Sequence, residues 1–275
     1  MKHDPWVEKA IIEIDAGNWF DGFQMFQGAL QRAIRQNNSS HAREIISKSI
    51  PLFSSGKQTR LVSDIVVNFF IALSRKRDDI SWVSVIAYVF EELRKNAEFN
   101  VLSDIKNKII NNSKFHSKEF SSNLIETVHM ANTNSAVISD LYYCNAGILT
   151  SIKEYLDCFE LLETWGKEFE HVPPKLRTYL TLAELNAYET QGCGRYLEDQ
   201  SEDETNETDQ MYLEIGSRIL RAVKILDEDE FQRINEEYQD LINSDKDALL
   251  SVLIKDLKVL FQPQKGAGLF SMFGL

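Results

Sequence analysis

Apolar residues recur at intervals of three and four positions along most of the chain, which is the period of an α-helix. One such series is Phe23, Phe26, Leu30 and Ile34, and similar series continue towards the C-terminus. No run of alternating apolar and polar residues is bounded by hairpin turns, so β-strands are not expected. The pattern therefore predicts an all-α protein, with helices distributed between residues 4 and 262.

Capping residues and helix breakers predict where individual helices begin and end. Ser39 and Ser81 are suited to N-caps, and Pro51 is expected to kink or end the helix that contains it. The glycines predicted to stop helices are Gly56, Gly147 and Gly192. The connections are short, and a long series of helices joined in this way favours an α-solenoid over a closed bundle.

The segment GNWFDGFQMFQGAL, residues 17–30, has the spacing of glycine, aromatic and small residues of a tetratricopeptide-type helix. Gly22 stands where such a helix carries a small residue, which allows a neighbouring helix to approach closely. The spacing fades along the rest of the chain. We therefore interpret residues 1–275 as a single α-solenoid of degenerate tetratricopeptide-like antiparallel helix pairs.

Charge and composition exclude several classes of function. The 275-residue chain has a formal net charge of −12, which argues against nucleic-acid binding because phosphate contacts need a Lys/Arg surface. The longest apolar stretch, VVNFFIAL, is far shorter than the roughly 20 residues of a membrane span, so no direct membrane insertion is expected. Acidic residues near the N-terminus oppose a signal peptide, and three scattered cysteines suit reduced thiols, so a cytoplasmic (cytosolic) location is predicted.

Two segments depart from the helical pattern. Residues 198–209, EDQSEDETNETD, contain seven acidic residues and no apolar residue, and are predicted to form a flexible loop. This loop is interpreted as a solvated insertion or as a docking site for a basic partner. Residues 263–275 form an apolar tail that is expected to fold onto the C-terminal helices, to join a partner-binding groove or to be disordered.

No set of catalytic, cofactor-binding or metal-binding residues is recognised in the sequence. The histidines lack the HxxxH and HExxH spacings of metal sites. The GCG at 192–194 has no identifiable base, and the KGAGLF at 265–270 lacks the preceding strand and following GK[ST] of a phosphate loop. We therefore predict a protein that is not an enzyme and uses no cofactor.

Two parts of the chain carry a resemblance to a known family. The first part has a glycine followed by paired aromatic residues in Gly17–Gln24, and then a helix with Ala-Arg-Glu-aliphatic in Ala42–Ile45. The second part is the end of the chain, where Phe261 and Pro263 precede a tail of Gly, Leu, Phe and Met. These features resemble the Golgi-to-ER traffic protein 4 family. Its members are cytosolic adaptors in the pathway that delivers tail-anchored membrane proteins to the endoplasmic reticulum.

The resemblance implies an α-solenoid adaptor with two binding surfaces and no catalytic activity of its own. Residues 17–75 would belong to an N-terminal half that binds a homodimeric targeting ATPase, with Lys57, Arg60 and Asp64 as candidate contacts. Arg60 and Asp64 are four residues apart and so share a helix face. Asp64 also matches an acidic position through which the family is thought to restrain the ATPase.

The C-terminal half, residues 174–262, would bind the N-terminal segment of a ubiquitin-like-domain partner. Candidate residues for an apolar partner groove are Tyr212, Ile215, Leu249, Leu253 and Leu257. Apolar stripes on helices more often face neighbouring helices, so a place in the core is the alternative for these five. An alternative function for the whole chain is a tetratricopeptide-like scaffold subunit of another cytosolic assembly.

Overall fold

The computed structural model describes residues 4–74, 82–97, 99–130, 135–188, 193–198, 206–242 and 247–261. These ranges contain helices and no β-strand, which confirms the all-α prediction. The α-helices are α1 (Pro5–Asp15), α2 (Trp19–Arg35), α3 (Ser39–Ser55), α4 (Thr59–Leu73), α5 (Val83–Asn96), α6 (Phe99–Asn111), α7 (Lys118–Met130), α8 (Ser135–Ser151), α9 (Tyr155–Gly166), α10 (Pro174–Tyr188), α11 (Arg195–Glu198), α12 (Glu207–Ile225), α13 (Glu228–Glu237), α14 (Gln239–Ile242) and α15 (Ala248–Leu257). Short 3-10 turns lie at Ser113–Phe115 and Lys258–Phe261.

The apolar series read from the sequence face the interior. Buried apolar residues form one continuous core from Val7 in α1 to Leu257 in α15. At its centre α8 is buried on nearly all sides, with every residue from 140 to 150 removed from solvent. A helix without a polar face is expected where other helices surround it, and α8 contacts α5, α6, α7, α9 and α15.

Helices contact their neighbours along the chain in a regular order over the first half of the structure. Each of α2, α3, α4, α5 and α6 contacts the helix two positions further along the chain. Contacts between consecutive helices also join α1 to α2, α2 to α3 and α3 to α4. The helices from α2 to α8 are therefore arranged in two rows, one made of the even-numbered helices and one of the odd-numbered helices.

The same three-residue turn joins several pairs of helices. The middle residue of the turn has a left-handed backbone. The N–H of the third residue donates to the carbonyl of the residue five positions before it, as in a Schellman motif. The first three of these left-handed residues are spaced by 20, from 17 to 37 and from 37 to 57. The left-handed residues of the four turns are Gly17, Asn37, Lys57 and Lys153. Because only one of the four is glycine, the repeat is not apparent from the glycines in the sequence.

The last helix departs from this order. Instead of contacting only its chain neighbours, α15 packs against α6, α8 and α10. Three leucines of α15, at positions 249, 253 and 257, are each 0% exposed. This return of the chain to the middle of the structure positions Asp247, the N-cap of α15, beside α8 and α10.

Some predicted helix ends are wrong. Of the two effects predicted for Pro51, only the end of the helix is wrong: α3 continues to Ser55, and Phe53 in its last turn is fully buried against Phe23 and Phe26 of α2. Gly147 does not stop a helix but lies inside α8. A Cβ at this position would lie 2.6 Å from Ile110 Cγ1, so the glycine permits a close approach of α6 rather than a chain reversal.

Other predicted helix ends are shifted or confirmed. The N-cap of α3 is Asn38, whose side chain accepts from the His41 N–H, and Ser39 is the first helical residue. Gly56 is the C-cap of α3, as predicted. Ser81 and Gly192 lie outside the described residues.

Part of the segment predicted to be an acidic loop is helical. Glu198 ends α11, and Asn206 caps α12, so residues 207–209 are helical. The Asn206 side chain accepts from the Asp209 N–H, and Glu207 and Asp209 place negative charge at the positive end of the helix dipole. Residues 199–205 and the apolar tail 263–275 lie outside the described residues. Among the described helices, none combines the length and the hydropathy that a bilayer crossing requires.

Candidate functional site

A groove of about 400 Å³ opens where α5, α6, α8, α9 and α10 meet. We call it the central groove, and its walls include three basic and four aromatic side chains: Arg94, Lys106, Lys175, Tyr143, Trp165, Phe169 and Tyr179. Its volume falls in the range of about 300–1,000 Å³ of ligand pockets. The central groove is therefore a candidate site that combines charged and aromatic side chains in a pocket of ligand-binding size.

A buried carboxylate lies in the wall formed by α8. Asp140 is 2% exposed. Arg94 Nε donates to its Oδ2 at 2.6 Å, and Lys106 Nζ donates to its Oδ1 at 2.9 Å. One buried acid thus holds two basic side chains, from α5 and α6, in fixed positions at the groove.

A second buried carboxylate lies at the start of α15. Asp247 is 1% exposed, and its Oδ2 accepts from Tyr179 and Tyr212 hydroxyls at 2.5 Å each and from Lys175 Nζ at 2.8 Å. Its Oδ1 accepts from the Tyr143 hydroxyl at 3.0 Å and from the N–H of Leu250 at 3.0 Å. We call Asp247, Lys175, Tyr143, Tyr179 and Tyr212 the Asp247 cluster. It joins α8, α10, α12 and α15.

The protonation states of the Asp247 cluster follow from this geometry. Burial opposes the charged carboxylate, but the Lys175 charge and the hydrogen bonds from Lys175, Tyr179 and Tyr212 hold the pKa of Asp247 below its ordinary value. Burial, followed by the nearby Asp247 charge, raises the pKa of Tyr143, Tyr179 and Tyr212. The three phenols are therefore neutral donors to a charged carboxylate at neutral pH.

The lowered pKa of Asp247 predicts a specific loss of stability in acid. Because the folded state binds the proton more weakly than the unfolded chain, Asp247 contributes its full stabilisation above the unfolded pKa of about 3.9. That contribution is lost as the pH falls through the folded-state value. We expect the free energy of unfolding, measured by urea denaturation, to fall more steeply from about pH 5 downwards in the natural chain than in Asp247→Asn. Equal slopes for the two proteins would show that the pKa of Asp247 is the same in the folded and unfolded states.

The candidate ATPase-facing residues lie at the turn between α3 and α4. Lys57 is exposed and has a φ of 55°. Arg60 and Asp64 lie one turn apart on α4, with 3.8 Å between Arg60 Nε and Asp64 Oδ2. Their side chains are 91% and 40% exposed, so this ion pair is solvated and contributes about 0.5 kcal/mol at most. The structure brings Arg60 and Asp64 together on an exposed surface, and contact with an ATPase stays a prediction.

The five residues predicted for the partner groove are all in the core. The residues with no exposed area are Ile215, Leu249, Leu253 and Leu257, and Tyr212 is 3% exposed. None of them lines an open groove, because α12 packs against α10 and α13 and because α15 packs against α6, α8 and α10. Binding of a ubiquitin-like partner by the C-terminal half stays a prediction, and it would need other residues in this conformation.

Sequence reasoning missed both buried carboxylates and the basic residues of the central groove. A local signal for Asp247 exists, since it directly precedes the apolar run ALLSVLIKDL and has the position of an N-cap. A local signal for Asp140 is that it stands before the almost wholly apolar run LYYCNAGIL. Neither signal reveals the partners, because Asp247 lies 104 residues from Tyr143 in the chain.

The arrangement is suited to binding an acceptor-rich group. Arg94, Lys106 and Lys175 present N–H donors at the groove, and the two carboxylates that pair with them are buried. Within the described ranges, no three or more His, Cys, Asp or Glu side chains are grouped closely enough to hold a metal ion.

Comparisons with models of protein families, with curated proteins and with solved structures found no match to this chain.

Proposed function

We propose that this chain is a non-enzymatic adaptor in the delivery of tail-anchored membrane proteins to the endoplasmic reticulum. In this proposal it is a cytosolic α-solenoid of tetratricopeptide-like helix pairs that bridges a homodimeric targeting ATPase and a ubiquitin-like-domain partner. The observation that carries the proposal is the resemblance of residues 17–67 and of the closing residues to the Golgi-to-ER traffic protein 4 family.

The helix arrangement supports the solenoid part of the proposal. The residues that carry the N-terminal resemblance fold as α2, α3 and α4, which are joined by the same three-residue turn. Contacts between helices two positions apart continue from α2 to α8. In a solenoid each helix pair buries its core against its neighbours and leaves long faces open to partners.

The exposed charges on α4 support the ATPase-facing assignment. Arg60 and Asp64 satisfy each other only weakly, so a partner can engage both at little cost in lost intramolecular interaction. Docking through exposed charges gives an association that is rapid, reversible and sensitive to salt.

Exposed aliphatic side chains are the better candidates for the second partner surface. At the end of α12, Ile225 is 66% exposed and Leu226 is 65% exposed, and Val259 after α15 is 65% exposed. The left-handed backbone of Leu226, with a φ of 54°, belongs to the end of α12, where the Asp227 N–H donates to the Ala222 carbonyl as in a Schellman motif. We propose these exposed side chains as contacts for the ubiquitin-like partner, in place of the five buried residues.

A charge swap on α4 tests the ATPase-facing surface. The double variant Arg60→Glu with Asp64→Lys keeps the net charge and an ion pair of favourable orientation along the helix. It reverses the signs presented to a partner, so we expect binding to the purified targeting ATPase to weaken about tenfold. Titration calorimetry and the rate of ATP hydrolysis by the partner measure the effect.

The matched control is Ile225→Asp, which alters the other surface. It is expected to keep ATPase binding and to lose the ubiquitin-like partner, whereas the charge swap is expected to do the reverse. Unchanged binding and unchanged ATP hydrolysis with the charge swap would overturn the ATPase-facing assignment.

Pull-down from a cytosolic extract followed by mass spectrometry tests the pathway itself. Recovery of a different assembly, without the ATPase or the ubiquitin-like protein, would favour the alternative scaffold function.

A further inference from the structure

The central groove presents positive charge to solvent in an otherwise acidic protein. The side chains of Arg94, Lys106 and Lys175 are 34%, 17% and 41% exposed, while Asp140 and Asp247 beneath them are almost fully buried. Three cations paired with two carboxylates leave an excess of one positive charge, although the whole chain has a net charge of −12. A monoanion is therefore the charge-complementary occupant, and a dianionic phosphate would exceed the available charge.

The remaining wall of the groove is aromatic and apolar. Trp165 stacks on Tyr142, with 5.8 Å between the ring centroids and an interplanar angle of 8°. The ring centroid of Phe169 lies 6.5 Å from that of Trp165. Trp165 and Phe169 both line the groove. The indole nitrogen of Trp165 is buried and has no hydrogen-bond partner among the described residues, so the part of Trp165 that lines the groove is apolar. The groove thus combines N–H donors with a flat apolar surface.

We propose that the central groove binds a short acidic segment of a partner protein. One Asp or Glu carboxylate of the segment lies against Arg94, Lys106 and Lys175. A large apolar side chain next to it packs on Trp165 and Phe169. The volume of about 400 Å³ accommodates a small number of side chains, and the exposed head of Lys175 at the rim lets the segment continue across the surface. This site lies on α5, α6, α8, α9 and α10, and does not depend on the two surfaces proposed above.

The basic side chains are held ready for such a ligand. Each already donates to a buried carboxylate, so its position is set before binding and less conformational entropy is lost when the ligand arrives. Lys106 also lies 4.9 Å from the centre of the Tyr143 ring, and Lys175 lies 4.8 Å from that of Tyr212. These contacts restrict the two long side chains further.

A selection of random dodecapeptides displayed against the full chain tests the proposal. We expect the enriched peptides to contain Asp or Glu beside Phe, Tyr, Trp or Leu. A synthetic peptide of this kind, labelled with a fluorophore, is then titrated by anisotropy. Its affinity is expected to fall about tenfold when its acids are replaced by the corresponding amides, and to weaken as salt is added.

Protein variants locate the binding site without breaking either buried ion pair. Ser103→Glu adds a carboxylate to the groove wall on α6 and is expected to lower the affinity for the acidic peptide about tenfold. Asn111→Glu makes a similar change at the exposed end of the same helix, outside the groove lining, and is expected to change affinity by less than about twofold. Ser139→Glu, also in the groove wall, replaces Ser103→Glu if the latter melts at a lower temperature than the natural chain.

Three results would overturn the proposal. The first is that no peptide is enriched, or that the enriched peptides are neutral or basic. The second is that the Ser103→Glu or Ser139→Glu variant binds the acidic peptide as tightly as Asn111→Glu does. The third is that 3-phenylpropionate binds in the groove while the peptides do not, which would identify a site for small carboxylic acids. None of these results depends on whether the targeting ATPase binds the chain.

Discussion

Replacing Asp247 by alanine is expected to lower the free energy of unfolding by about 3–5 kcal/mol, because it removes one partner of a buried ion pair. The change leaves the hydroxyls of Tyr143, Tyr179 and Tyr212 without their common acceptor. It also removes the side-chain cap of α15, since Asp247 accepts from the Leu250 N–H. Urea denaturation followed by circular dichroism measures the loss.

The matched control for this variant is Asp227→Ala. Asp227 is also the N-cap of a helix, and its side chain accepts from the Glu230 N–H at 2.9 Å. It is only partly buried. We expect Asp227→Ala to cost about 1 kcal/mol, the ordinary value for the loss of an N-cap. The difference between the two variants isolates what the Asp247 cluster adds to capping.

Equal destabilisation by the two variants would show that the Asp247 cluster contributes only a helix cap. The Lys175 side chain is 41% exposed, so its ammonium group can be solvated by water when Asp247 is removed. Lys175 therefore adds little to the loss of stability. The hydroxyls of Tyr179 and Tyr212 cannot turn to water in this way, whereas the Tyr143 hydroxyl also lies 3.5 Å from Asn107 Oδ1. Tyr179 is 1% exposed and Tyr212 is 3% exposed, so their unpaired hydroxyls carry most of the expected cost.

Replacing Gly22 by alanine is expected to lower the free energy of unfolding by about 1–3 kcal/mol, although alanine favours the helix. A Cβ at this position would lie 2.5 Å from Ile14 Cγ1 and 2.9 Å from the backbone oxygen of Ala10. The Ile14 side chain can shift, but the backbone of α1 can do so only if the whole helix moves away from α2. Thermal and urea unfolding measure the effect.

Gly28 on the same helix is the matched control. A Cβ there meets no described atom within 4 Å. We therefore expect Gly28→Ala to raise the free energy of unfolding by about 0.5–1 kcal/mol through helix propensity alone. The two substitutions are chemically identical and differ only in the approach of α1. The same sign of effect at both positions would contradict the close packing of α1 on α2.

Helix type and helix faces could be predicted from the sequence because they depend on local spacing. Phe26, Leu30 and Ile34 lie on an inward face, as their four-residue intervals predict, and each is at most 4% exposed. The small residue at Gly22 was likewise predicted from a local motif, and α1 does approach there. Binding by Lys57, Arg60 and Asp64 is a different matter, since neither spacing nor exposure identifies a partner.

Helix ends were predicted less well, because local propensity competes with burial there. Pro51 has a strong tendency to end a helix, yet the burial of Phe53 in the following turn keeps α3 helical. Gly147 has the chemistry of a stop and instead serves a close contact with Ile110. At three of the four repeated turns, Asn37, Lys57 and Lys153 take the left-handed conformation that glycine would favour.

The sequence by itself determined that the described segments are helical, which apolar residues share a helix face and that charged residues stand at the start of α4. The tertiary structure alone decided that α15 returns to the middle of the structure and that Asp247 is shared by side chains from α8, α10 and α12. It also decided that Leu249, Leu253 and Leu257 belong to the core rather than to an open groove. The physical reason is the distance along the chain over which each kind of interaction acts. Helical periodicity depends on residues three and four positions apart, and it shows which of them lie on one face. The helix that covers this face is decided by contacts between distant residues, such as Asn107 and Ala248, which are 141 positions apart.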